Sequence, residues 1–170
     1  MYGLDADRTL VYFNPAYAAF CAANGGDLEL CGLGVSLASA IEEPFLRVFY
    51  DAAYGRIFDG GEAWRSQYLC PSVTESRVFD MVVEPLRDAN GRVAGVLVWN
   101  RLREAHAAPA EAHPRADLEE SGAVMMCAVC RRVHDRRADR WLWIPRYLEL
   151  KSTVSHGLCD SCGEAYYGEP

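Results

Sequence analysis

Arg77-Val-Phe-Asp-Met-Val-Val-Glu-Pro85-Leu-Arg-Asp88-Ala-Asn-Gly91-Arg-Val-Ala-Gly95-Val-Leu-Val-Trp-Asn-Arg-Leu102 reads as two strands around one reverse turn. The strand-like runs are Arg77–Pro85 and Arg92–Leu102, and Asp88-Ala-Asn-Gly91 between them is a strong hairpin signal. Upstream, Ala63–Pro71 is a third run of the same kind. Asp59-Gly-Gly61 precedes it and ends a helix over Glu43–Phe58, with Phe45, Val48, Phe49, Ala52, Ala53 and Ile57 expected along one side. Residues 27–41 read as irregular chain or short helical turns around Gly32 and Gly34. Asn14 is a good N-cap and Pro15 suits a first helical position, so a helix is expected over Pro15–Ala23, stopping at Asn24-Gly25-Gly26. The chain opens with two short strands, Tyr2–Asp5 and Thr9–Phe13, around the turn Asp5-Ala-Asp-Arg8. Downstream, residues 104–115 are rich in Ala, Pro, His and Glu without an apolar period and read as linker.

Composition sets the outer bounds. A chain of 170 residues, about half apolar and 11% aromatic, is long enough for one domain with a real core and a small appendage. No apolar run approaches 18 residues and no charged-then-apolar leader opens the chain, so a soluble cytoplasmic protein is expected, with no membrane span. The net charge of −7 is uneven: residues 1–120 hold ten Arg against 18 acidic residues, whereas residues 121–170 hold seven basic and six. An acidic body is a poor surface for nucleic acid, because phosphate binding needs clustered positive charge.

Two strands, helices and then a three-stranded antiparallel run follow the order of a PAS domain. Val11-Tyr-Phe-Asn14-Pro15-Ala16 resembles that family's second strand running into its first helix, and Pro85–Val96 resembles its closing hairpin. The resemblance covers about residues 2–102. It implies an α+β fold: a five-stranded antiparallel sheet with helices on one face, often cupping a small ligand or cofactor. It also implies sensing of ligand, redox state or light, or dimerisation. The chain departs from the family in three respects. It begins almost at the first strand, so the flanking helix many members use to dimerise is expected to be absent. No kinase, cyclase or recognisable DNA-binding output follows. The asparagine-cysteine flavin-adduct motif of light-oxygen-voltage domains is missing.

Cys127-Ala-Val-Cys130 and Cys159-Asp-Ser-Cys162 carry the chemistry of the tail. Two Cys-x-x-Cys pairs supply four soft thiolates for one tetrahedral metal, most simply zinc, and a closed all-sulfur shell has no open position for substrate. Their surroundings, from Met126 to Asp135 and from Ser155 to Tyr167, resemble a cysteine-rich tail found on bacterial PAS and response-regulator proteins. The order suggests a knuckle, a hairpin and a second Cys-x-x-Cys at the start of a short helix, a small treble-clef-like module. His156, three residues before Cys159, is read as bonding a thiolate or as an alternative ligand. The division expected is a PAS domain over 1–103, a linker over 104–120 and a four-cysteine zinc module over 121–170.

Other candidates are weaker. Cys21, Cys31 and Cys70 read first as small buried hydrophobes, and otherwise as a redox or ligand contact in a PAS cavity, with Cys70 the best placed. Residues 1–103 contain no histidine, so a histidine-ligated haem there is not expected; a small molecule or flavin has no positive sign. Trp141, Trp143, Tyr147, Tyr166 and Tyr167 are expected to pack around the metal, and the arginines from Arg131 to Arg140, interleaved with Asp135 and Asp139, to form a solvated hairpin. Asp5, Asp7, Glu42 and Glu43 read as turn or cap residues. No Ser-His-Asp order, phosphate-cradling glycine loop or open metal triad is present.

These features point to a non-enzymatic signalling protein, a sensory or interaction domain joined to a structural zinc module, with a protein partner or a second copy as its target. Two other readings fit the same residues: a transcription-linked adaptor touching nucleic acid through Arg131 and Arg132, and a thiol switch in which oxidation ejects zinc.

Overall fold

The computed structural model describes residues 1–41, 44–72, 74–107, 124–144, 147 and 154–167, with positions 45 and 165–167 described by backbone alone. The chain divides into two compact units, Met1–Gln67 with Asp80–Arg101 and Tyr68–Phe79 with Leu102–Pro170. Strand β1 (Tyr2–Asp5) and strand β2 (Leu10–Phe13) form the opening hairpin. Its turn is set by Asp5, whose carboxylate accepts from the backbone N–H of Asp7 at 3.0 Å and of Thr9 at 2.9 Å, while Arg8 takes φ 62°. Helix α1 (Pro15–Ala23) starts as its sequence requires: the Asn14 side chain accepts from the Tyr17 N–H at 3.1 Å and Pro15 fills the first turn.

Two one-turn helices follow, α2 (Leu28–Cys31) and α3 (Leu37–Ala40), capped by Asp27 and Ser36. The segment between them runs beside β2, with Leu10 N–H donating to Val35 O at 2.9 Å and Gly34 N–H to Leu10 O at 2.8 Å. Helix α4 spans Pro44–Gly60. Its buried side is Ala53, Tyr54 and Ile57, while Val48 is 70% exposed and Ala52 faces solvent. The face expected from sequence is therefore turned. Tyr54 is fully buried, its hydroxyl 3.4 Å from that of Tyr2, and with Tyr50 it packs on Trp64. Large rings that reach the sheet decide the phase over a lone valine.

Strands β3 (Trp64–Leu69), β4 (Glu75–Arg87) and β5 (Val93–Ala107) complete a five-stranded antiparallel sheet in the order β2-β1-β5-β4-β3. The β4–β5 turn lies where Asp88-Ala-Asn-Gly91 puts it: the Asp88 carboxylate accepts from Asn90 and Arg92 N–H groups, and Gly91 takes φ 79°. Both strands run longer than their apolar runs. β4 continues past Pro85 to Arg87, whose guanidinium bonds Gly91 O and Gly61 O, and β5 continues four residues into the stretch expected to be linker. The rest of that linker, residues 108–120, lies outside the described residues, as do Glu42 and Glu43. Leu4, Val83, Val96 and Val98 form the driest part of this core, each at most 1% exposed.

The second unit builds its own sheet from β6 (Val124–Cys127), β7 (Val133–Asp135), β8 (Arg140–Leu142) and β9 (Val154–Gly157), in the order β8-β7-β6-β9. β7 and β8 are the expected hairpin. The pairing of β9 with β6 is parallel, with Val124 opposite Val154 and Cys127 opposite Gly157. Helix α5 (Asp160–Tyr167) follows β9 at once. Met126, Val133, Ile144 and Tyr147 form a small core with Val124, Leu142 and Val154 against it. Of the aromatic strip, Tyr147 is buried, Trp141 stacks on His134 with ring centres 4.7 Å apart, and Trp143 is half-buried; the side chains of Tyr166 and Tyr167 lie outside the described residues.

Candidate metal centre

The parallel register of β6 and β9 is what assembles the cysteines. It ends with Cys127 opposite Gly157, so the two Cys-x-x-Cys segments leave adjacent strands at one end of the sheet. After β6 the chain folds into a knuckle: Arg131 N–H donates to Cys127 O at 3.0 Å and Cys127 N–H to Arg132 O at 2.8 Å, with Arg131 at φ 60°. Ala128 N–H donates to Gly157 O at 2.8 Å and ties the knuckle to β9. Cys159 stands just before α5 and Cys162 in its first turn, where the helix's free N–H groups favour thiolate.

The sulfurs of Cys127, Cys130, Cys159 and Cys162 all lie within 4.8 Å of one another, and Cys130 and Cys159 are 3.6 Å apart. Each residue is at most 4% exposed. A tetrahedral ion with metal–sulfur bonds of about 2.3 Å needs sulfurs about 3.8 Å apart, so the cluster fits one ion with little adjustment. Its electrostatics fit too. The Cys127 thiol is held far below the ordinary thiol range, first by a hydrogen bond with Cys130, then by one with Cys162, and also by the Cys159 backbone N–H at 3.4 Å. The same sharing pushes Cys130 up to about 12 through its bond to Cys127, and raises Cys162 as well. Cysteines this close must give up protons to a cation that binds among them.

His156 lies outside the sulfur cluster, exposed on β9 with its Nε2 3.3 Å from the Arg131 guanidinium. The arginine-rich hairpin is partly neutralised from within. Asp135 accepts from the backbone N–H of Arg137 and Ala138 and lies 3.8 Å from Arg140, and His134 lies 3.1 Å from Asp139.

The first unit has a cavity of about 140 Å³ between the β1–β2 hairpin and the short helices, lined by Tyr2, Leu4, Leu10, Tyr17, Cys31 and Val35, among others. This is well under the ~300–1,000 Å³ of usual ligand pockets and near the size that takes a single benzene ring. Cys31, not Cys70, stands in its wall. Cys70 lies past the end of β3 at the turn into β4, its N–H on Arg77 O at 2.8 Å and its thiol raised by burial. Sequence reading named Cys31 but ranked it below Cys70, because α2 is a single turn with no apolar period to orient it.

Among the described residues no helix is long and apolar enough to cross a membrane. No curated protein matches the chain. A solved structure similar to it is the Vibrio cholera VqmA–ligand–DNA complex, at 16% identity and a TM-score of 0.46. That similarity covers 59% of this chain but 45% of VqmA, so this chain spans less than half the length of that one. The family model described as the PAS fold matches residues 2–103, which is the described five-strand sheet with its helices. The chain belongs to the PAS-fold family.

Proposed function

We propose that this is a non-enzymatic signal-transduction protein of the cytoplasm, a PAS sensory or interaction domain over residues 1–103 coupled through 104–120 to a structural zinc module over 121–170. The observation that carries the reading is the buried cluster of four cysteine sulfurs within 4.8 Å of one another. Cys127, Cys130, Cys159 and Cys162 would hold zinc as a closed, treble-clef-like site. Four sulfurs fill a tetrahedral shell, which supports a structural rather than a catalytic metal. The cavity behind Tyr2 and Tyr17 is sized for a small apolar ligand, and a change there would reach the module through the chain that follows β5. A ligand shifts such an equilibrium only by its differential affinity for the two states. A protein partner or a second copy is the favoured target, because the arginines of the hairpin are interleaved with acidic partners.

Native mass spectrometry of the reduced full chain, compared with its denatured mass, tests the reading. One zinc per chain is expected, lost in Cys127→Ser and in Cys162→Ser. A further non-covalent mass would name the cavity's ligand. A metal-free protein that keeps the β6–β9 fold overturns the zinc module.

A further inference from the structure

Outside the metal centre one more pair of nucleophiles is brought together. Cys21 lies in the last turn of α1 and Cys31 closes α2, ten residues later. Between them Gly25 takes φ 70°, Gly26 N–H donates to Cys21 O at 2.9 Å, and Asp27 caps α2, so the chain doubles back on itself. The two sulfurs end 3.1 Å apart. Gly26 is part of the device: a Cβ there would lie 2.5 Å from the Cys21 sulfur. Tyr17 hydroxyl donates to Cys31 O at 2.7 Å and fixes Cys31 in the cavity wall. We propose that Cys21 and Cys31 are an oxidation site, closing to an intramolecular disulfide when the protein meets a peroxide.

A disulfide needs the sulfurs at about 2.05 Å, so an approach of roughly 1 Å suffices, across a loop already folded. Cys31 is the more exposed of the two and meets the oxidant first. Its sulfur attacks one peroxide oxygen, the O–O bond breaks, and water leaves with the second oxygen, giving a Cys31 sulfenic acid. The Cys21 sulfur then attacks that sulfur and expels hydroxide, which takes the Cys21 proton and departs as a second water. Two thiols and one hydrogen peroxide thus become one disulfide and two waters. The bond to Cys31 pushes the Cys21 thiol up to about 11 and keeps it protonated, so Cys21 is not the residue that meets the peroxide, and its place 3.1 Å from the Cys31 sulfur rather than its acidity lets it close the bond. The new bond draws a cavity-wall residue toward α1, so oxidation reshapes the cavity directly. This chemistry extends the sensory reading of the domain but does not depend on the metal module, whose thiols are separate.

The sequence makes the test simple. No Lys or Arg lies between Arg8 and Arg47, so trypsin releases both cysteines on the single peptide Thr9–Arg47. The metal-loaded full chain is treated with hydrogen peroxide, alkylated, digested and analysed by mass, with metal content read on the same sample. The expected result is a peptide two hydrogens lighter and not alkylated, whose halves stay joined after cleavage at Asp27, and which takes two alkyl groups after dithiothreitol. In Cys31→Ser, Cys21 should remain alkylatable after the same treatment. Two alkylated thiols after peroxide, or sulfinic acid on Cys31 without the crosslink, overturns the proposal. So does pairing of either residue with another cysteine. Metal release with Thr9–Arg47 still fully alkylated also overturns it, and moves the redox chemistry to the tail.

Discussion

Gly95 shows what one atom decides in this fold. In the β1–β5 pair it stands opposite Asp5, and a Cβ on it would lie 2.5 Å from the backbone oxygen of Leu4. That oxygen belongs to a central strand and has nowhere to go. Gly95→Ala should therefore cost about 2 kcal/mol, within the ~1–3 usual for overpacking, measurable as a lower urea midpoint with unchanged slope. Gly91, at φ 79° with open space around it, offers a control: alanine there strains only the backbone and should cost about 1 kcal/mol. Residues with local jobs were legible in the sequence. Asp5, Asn14 and Asp88 bond backbone N–H groups two to four positions away, and such bonds follow from residue type and spacing. Gly95 carried no such local signal, because its constraint comes from a strand about ninety positions away in the chain.

Elements were legible where their periodicity is strong, and less so where partners choose their orientation. The bounds of β1 and α1 match their sequence signals residue for residue, whereas α4 presents a face rotated from the one its apolar spacing suggested. The rings of Tyr50 and Tyr54 pack on Trp64, and no helical repeat encodes that the partner is aromatic. Tyr54→Ala should cost about 4 kcal/mol in thermal or urea unfolding, and Val48→Ala less than about 0.5. The reverse order would restore the face read from sequence. The Cys-x-x-Cys spacing announced which four cysteines would cluster, but the parallel β6–β9 pair that gathers them was hidden, since strand pairing across about thirty residues leaves no local mark. Among the described residues the core cluster around it has four buried members, a small core for such a module to rest on alone. Removing metal with a strong chelator should therefore release hydrogen-exchange protection at Met126 and Val133 while that of Leu4 and Val96 remains. Because bound thiolates must be deprotonated, acidification should have the same effect, with metal held less tightly as pH falls.

At the scale of the whole molecule the deciding quantity is charge. The net −7 sits in residues 1–120, at −8, and the tail adds only +1 from seven basic and six acidic residues. A four-cysteine tail with arginines invites a nucleic-acid reading, and duplex DNA does attract any protein that can neutralise several phosphates. Each such contact releases about 0.9 of a counterion, so a real interface shows itself as a steep fall of affinity with salt. Here Arg140 lies beside Asp135, and Asp139 stands 3.1 Å from His134 on the same hairpin. What remains is a short basic patch on a molecule whose larger part repels the polyanion. Fluorescence anisotropy of a labelled duplex, titrated with zinc-loaded protein from about 0.05 to 0.2 M salt, should show weak binding with a slope of about one or two counterions. Neutralising both Arg131 and Arg132 should barely change it. A slope of about five or more that collapses in the double variant would instead make the tail a DNA contact and favour the reading of a transcription-linked adaptor over the one proposed.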